Sequence, residues 1–107
     1  MYDLDRLGVG KVMEETLDYF KDRKDIHLSF DIDAIDPFFA PHTGTAVTGG
    51  LTYREGNYIC EALAESGKLA SMELVEVDPS QHSGVEHAQT IQCALTLIGS
   101  AMGKRLL

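Results

Sequence analysis

Two carboxylates set two residues apart at the end of an apolar run are a common way to hold a divalent cation. This chain of 107 residues has such a pair in Asp31 and Asp33, directly after Ile26-His27-Leu28-Ser29-Phe30. If that run is a strand, residues i and i+2 point to one side and both carboxylates reach the same place. Two such charges stay ionised at short range only with a cation between them, and oxygen donors suit magnesium, manganese or calcium better than copper. A solvated turn is the other reading of the same D-x-D. Asp36 precedes Pro37 and is assigned to turn formation rather than to a ligand. A third acid, Glu76, stands near the end of a second apolar run, Met72 to Val77, with Glu73 before it, so that strand end is expected to be acidic. A buried Glu76 requires a partner, either a cationic group of a ligand or a structural salt bridge.

Other chemistries find less support. His27, His42, His82 and His87 form no i, i+4 pair and no H-E-x-x-H motif, so each alone is read as structural or superficial. Cys60 and Cys93 lack C-x-x-C spacing and are expected to pack as small apolar groups in a reducing compartment. Gly8-Val9-Gly10 has no strand before it and no third glycine, which makes a phosphate loop a weak reading. Nine basic against seventeen acidic residues give a net charge of −8, which opposes a nucleic-acid backbone or an anionic membrane and favours a cationic ligand. With 44% apolar and 24% charged residues the composition is that of one globular unit, not a disordered chain. The opening MYDLDRLG lacks the apolar core of a signal peptide, and no run approaches the roughly eighteen apolar residues of a membrane span. The expected location is cytoplasmic.

The elements that must position these acids follow from periodicity. Val9, Val12, Met13, Leu17 and Phe20 predict an amphipathic helix over residues 8–20, and residues 26–30 a buried strand that runs into an acidic turn. Residues 37–50 hold two prolines and several glycines and predict a long loop. Thr52-Tyr53-Arg54-Glu55 has the spacing of a capping box and starts a helix that carries Ile59, Ala62 and Leu63 inward and stops near Gly67. A second strand over residues 72–77, closed by Asp78-Pro79, precedes a final helix whose inward face is predicted from Val85, Ala88, Ile91, Leu95, Ile98 and Met102, with Gly103 beyond. Helix, strand, helix, strand, helix implies right-handed crossovers and a parallel sheet with helices on both faces. Two strands leave both edges unpaired, so the expectation is an α/β fold containing only part of a sheet. In such sheets ligands bind beyond the carboxyl ends of the strands, where Asp31, Asp33 and Glu76 fall.

The stretch from His27 to Pro37, continued by Pro41, Thr43-Gly44-Thr45 and Gly49-Gly50-Leu51-Thr52-Tyr53-Arg54-Glu55-Gly56, strongly resembles arginases. The wider ureohydrolase family shares S-F-D-x-D-x-x-D-P, T-G-T and G-G-L-T. Tyr53-Arg54-Glu55-Gly56, Glu76-Val77-Asp78-Pro79 and the opening Asp5 to Thr16 resemble arginase rather than agmatinase, so the likeness covers nearly the whole chain.

The resemblance implies the three-layer α/β/α arginase fold and an enzyme with two manganese ions that hydrolyses L-arginine to L-ornithine and urea, an activated water attacking the guanidinium carbon. It assigns Asp31 to both metals, Asp33 to one, Glu76 to the guanidinium and Thr45 to the neighbourhood of the substrate. Arg54 and Glu55 match a segment at subunit contacts, which implies a homo-oligomer at full length. The family's H-x-D-x-H and G-G-D-H segments and its proton-shuttle histidine have no counterpart in these residues, and His42 stands where the family usually has a small residue. Residues 1–107 are therefore expected to be the C-terminal portion of an arginase catalytic domain, inactive alone, with a non-catalytic remnant or interaction module as the alternative.

Overall fold

The computed structural model describes residues 1–78, 80 and 84–106; Pro79 of the strand-closing pair and His82 lie outside them. Its elements are α1 (Tyr2–Leu7), α2 (Val9–Tyr19), β1 (Ile26–Asp31), a 3-10 turn (Ile32–Ala34), α3 (Tyr53–Glu65), β2 (Leu69–Val75) and α4 (Gly84–Ala101). α1 has no counterpart among the helices that the apolar periodicity predicts. Gly8, at φ 81°, separates it from α2, a conformation that glycine adopts without a steric penalty.

β1 and β2 form a two-stranded parallel sheet, with α3 in the crossover, which is the expected partial α/β arrangement. The register pairs His27 with Ser71, Ser29 with Glu73, Phe30 with Leu74 and Asp31 with Val75, after an irregularity between Ile26 and His27. Phe30 is buried, whereas His27, Ser29 and Asp31 on the alternate positions of β1 are exposed. On that open face His27 Nδ1 meets Ser71 Oγ at 2.8 Å. β2 starts three residues before the predicted strand and ends two before it, because Leu69 to Ser71 pair with β1 while Val77 pairs elsewhere, with Thr43.

The core lies between the sheet and the α3–α4 pair and consists of Phe30, Ile32, Ile35, Ala40, Cys60, Cys93, Ala94, Leu97 and Ala101. Gly56 lets α3 come close: a Cβ there would lie 2.6 Å from Ile35 Cδ1 and 3.2 Å from Leu97 Cδ2. α4 buries Thr90, Cys93, Ala94, Leu97, Ser100 and Ala101, which corrects its predicted face. Val85, Leu95 and Met102 are 82%, 58% and 82% exposed, and Ala88 is exposed too. Both faces of this helix are apolar enough to be the inner one. Packing selected the face of small residues, on which Ser100 Oγ donates to Asn57 Oδ1 at 2.8 Å.

α3 begins as its sequence predicts. The Glu55 amide donates to Thr52 Oγ1 at 3.1 Å, and the Thr52 amide donates to Glu55 Oε2 at 2.9 Å. At the other ends of α3 and α4, Gly67 (φ 72°) and Gly103 (φ 97°) adopt the left-handed conformation.

The loop of residues 37–50 is closed at its base. Leu51 donates to the Ala34 carbonyl at 2.7 Å and Asp36 to the Leu51 carbonyl at 2.9 Å. The Asp36 carboxylate accepts from the amides of Phe38 (2.9 Å), Gly49 (2.9 Å) and Gly50 (3.3 Å), the turn role expected of it. These amides stabilise the carboxylate, first Phe38 and then Gly49, and hold its pKa below the usual 3.8. A depressed folded pKa gives a contribution that is complete above the unfolded value and disappears as the pH falls through the folded one. We predict that the Gly49 and Gly50 amide resonances titrate together with a midpoint below 3.8; a midpoint at or above that value would separate the loop closure from Asp36.

Candidate active site at the carboxyl end of the sheet

Because Asp31 is paired with Val75, both strands end at the same level, and Ile32-Asp33-Ala34 and Glu76-Val77-Asp78 leave the sheet side by side. Asp31 Oδ1 accepts from the Asp33 amide at 2.8 Å and caps the 3-10 turn. Asp33 is therefore not the i+2 residue of a continuing strand, as the D-x-D spacing predicts. A turn, not the pleat, carries its carboxylate. Asp33 Oδ1 is buried without a hydrogen-bond donor, while Asp31 is exposed.

An unmatched buried carboxylate oxygen is expensive unless a cation meets it, and a carboxylate pair is a hard donor set. The two aspartates fit part of a divalent-cation site on that ground. Among the described residues no group of three or more His, Cys, Asp or Glu side chains could hold an ion.

Glu76 lies one residue beyond β2 rather than within it. Its φ of 70° is the only positive value at a non-glycine among the described residues. A side chain in this region costs about 1–2 kcal/mol, so the surroundings must impose it. They do so through the antiparallel Thr43–Val77 bridge and the Asp78 amide, which donates to the His42 carbonyl at 3.2 Å. A Cβ on Gly44 would lie 2.7 Å from Glu76 Oε2, so the carboxylate rests against the backbone of Thr43-Gly44-Thr45. Thr45 is exposed on the same segment. Glu76 makes no ion pair among the described residues, so the salt-bridge reading is not realised there. Glu73 is not part of a common acidic face either: its carboxylate lies 3.7 Å from His27 Nε2, on the exposed side of the sheet.

One group absent from the predicted site belongs to the loop itself. His42 is 2% exposed, its Nε2 is 3.3 Å from Glu86 Oε2, and its amide donates to Thr90 Oγ1 at 3.0 Å. The only sequence signal was the size of His42 within its motif, since Glu86 and Thr90 are more than forty positions away. Cys60 and Cys93 are buried and free, as expected of small apolar groups. Burial, assisted by Glu61, pushes the Cys60 thiol up to about 12, and burial pushes Cys93 up to about 11, so neither offers a thiolate nucleophile near neutral pH. Arg54 is exposed and forms no ion pair among the described residues, whereas the Glu55 carboxylate is engaged in the capping box.

A profile of the arginase family matches residues 1–103. The chain belongs to the arginase family. An arginase of Glaciozyma antarctica is 50% identical over 109 residues, covering 100% of this chain and 32% of its own length. Human mitochondrial arginase-2 is 51% identical over 107 residues, with 97% and 30% covered. The crystal structure of Bacillus subtilis arginase superposes with a TM-score of 0.90 at 43% identity, over 99% of this chain and 38% of that one. The chain thus spans about a third of the length of the curated arginases it matches. Among the described residues no helix is long and apolar enough to cross a membrane.

The two tight glycines of this arginase-family site should respond differently to substitution. At Gly44 the added methyl meets the flexible end of Glu76. At Gly50 it meets backbone, the Ala34 oxygen and the Asp36 nitrogen, both at 2.7 Å. Gly44→Ala is expected to change stability by less than about 0.5 kcal/mol, and Gly50→Ala to destabilise by about 1–3 kcal/mol. Urea denaturation of both variants is the measurement; equal losses would contradict the contact assigned to Glu76.

Proposed function

We propose that these residues are the C-terminal part of an arginase catalytic domain and that, within the whole protein, they serve manganese-dependent hydrolysis of L-arginine to L-ornithine and urea. The observation that carries the reading is the buried, donorless Asp33 oxygen, which leaves the sheet beside Glu76. Asp31 and Asp33 are the manganese ligands of this segment. When bound, the two ions lower the pKa of water enough to generate a nucleophile near neutral pH and stabilise charge as the guanidinium carbon is attacked. Glu76 holds the substrate guanidinium by charge-assisted hydrogen bonds, and its left-handed backbone aims the carboxylate at the Thr43-Gly44-Thr45 segment. Thr45 orients the substrate from that segment. Free, buried cysteines support a reducing, cytoplasmic setting. The exposed Arg54, without an ion pair among the described residues, supports a contact between subunits of a homo-oligomer.

The described residues of this chain provide too few ligands for even one manganese ion, and the chain alone is expected to be inactive. The test therefore uses the protein at the full length of its reading frame. Asp31→Asn is expected to lower manganese retention, measured by metal analysis after gel filtration, by about tenfold or more, together with most of the turnover. Parent-level metal and activity would remove Asp31 from the site. Glu76→Gln is expected to leave manganese content unchanged and to reduce kcat/KM for arginine by about 10- to 100-fold, the loss of a charged hydrogen bond. Equal loss of metal and turnover would instead make Glu76 a structural group.

A further inference from the structure

His42 joins three segments that are distant in sequence. Its amide donates to Thr90 Oγ1 at 3.0 Å, and that hydroxyl in turn donates to the Glu86 carbonyl at 3.1 Å. Its ring nitrogen Nε2 meets Glu86 Oε2 at 3.3 Å. Among the described residues Nδ1 is buried without a partner and the one acceptor of the ring lies at Nε2, which places the proton there. The ring also lies 5.8 Å from that of His87, at 49°. Ring and amide therefore attach the loop to the first turns of α4. The carbonyl faces the opposite way and accepts from the Asp78 amide at 3.2 Å, two residues beyond Glu76. The next residue, Thr43, forms the antiparallel bridge to Val77, and the one after it, Gly44, lies against the Glu76 carboxylate.

We propose that His42 is a positioning residue for substrate binding: by anchoring residues 42–45 to Glu86 and Thr90 of α4, it holds Glu76 in its left-handed conformation with its carboxylate against Gly44. The proposal rests on the reading of Glu76 as the guanidinium-binding group. An unanchored loop would let the Thr43–Val77 bridge open, and Glu76 would relax toward the extended backbone that its side chain prefers. A group that acts by presenting another to the substrate affects binding more than the chemical step.

The test compares the parent with His42→Ala, His42→Gln and Glu86→Ala at the full length of the reading frame. Gln keeps a donor that reaches Glu86. Glu86 has a side chain 58% exposed, so its removal leaves the core intact if His42→Ala does not fold. The expected result is a KM for arginine raised about tenfold in His42→Ala with kcat within about twofold, the loss of one hydrogen bond to a charged group. His42→Gln should recover most of it, and Glu86→Ala should show the same direction. Amide hydrogen exchange supplies an arm independent of turnover: Val77 and Asp78 should lose protection in His42→Ala and Glu86→Ala and keep it in His42→Gln. Unchanged KM and unchanged protection in Glu86→Ala and His42→Ala would overturn the proposal, as would a fall in kcat with KM constant. If the parent hydrolyses no arginine, the functional reading fails separately, and the exchange pattern alone decides whether His42 anchors the Glu76 segment.

Discussion

The parallel register of β1 on β2 is the constraint from which the candidate site follows. Pairing Asp31 with Val75 ends both strands at one level, and every acid of interest lies within two residues of that line. A slip of one residue would turn Phe30 out of the core and swap the exposed and buried faces, which the apolar set Phe30, Ile32 and Ile35 does not permit. Burial of Phe30 at the end of β1, and of Ile32 and Ile35 just beyond it, thereby sets the position of carboxylates that are not themselves part of the core. The irregularity between Ile26 and His27 lies at the opposite end and leaves this alignment intact.

A second layer of control comes from the loop, whose base and middle are tied by different chemistry. At its base a single carboxylate, Asp36, gathers three amides and fixes where residues 49 and 50 return to the sheet. At its middle, His42 and Thr43 connect to α4 and to the segment after β2. Gln89 also donates to the Phe38 carbonyl, so α4 touches the loop on both sides of Pro41. The conformation of Thr43-Gly44-Thr45 is thus decided by its neighbours rather than by its own flexible composition.

What the sequence disclosed divides along the range of the interactions. The capping box at Thr52, the turn at Asp36 and the left-handed glycines at 67 and 103 were legible, because each is settled within a few residues. The two strands and their order were legible from apolar patterning, and the motif from His27 to Gly56 pointed to the family. The inward face of α4 was not, since Val85, Leu95 and Met102 lie outside and the helix packs through Thr90, Cys93, Ala94, Leu97, Ser100 and Ala101. A helix with two apolar faces carries no one-dimensional signal for which of them meets a partner. The placement of Glu76 was hidden for the same kind of reason: its left-handed backbone is imposed by Thr43 and His42, more than thirty residues earlier. Asp33 was placed at the right end of the sheet by a rule of strand pleat that does not apply there, because Asp31 had already turned the chain.

The costs in this structure are not scattered. The buried side-chain atoms without a partner among the described residues are Asp33 Oδ1, His42 Nδ1, Thr43 Oγ1 and His87 Nδ1, and the one strained non-glycine is Glu76. Asp33 and Glu76 leave the carboxyl ends of the strands, and Thr43 pairs beside Glu76. His42 joins the loop to the first turns of α4, where His87 lies against it. In the interior between α3 and α4, by contrast, the buried polar pair is matched: Asn57 donates to the Tyr53 carbonyl at 2.8 Å and accepts from Ser100. A chain of this composition was able to satisfy polar groups deep in its core, so the unsatisfied ones do not reflect poor packing throughout. Local departures from the most stable arrangement concentrate where a fold is shaped by a requirement other than stability. Here they mark the same end of the sheet that the register, the loop and the acidic residues single out independently.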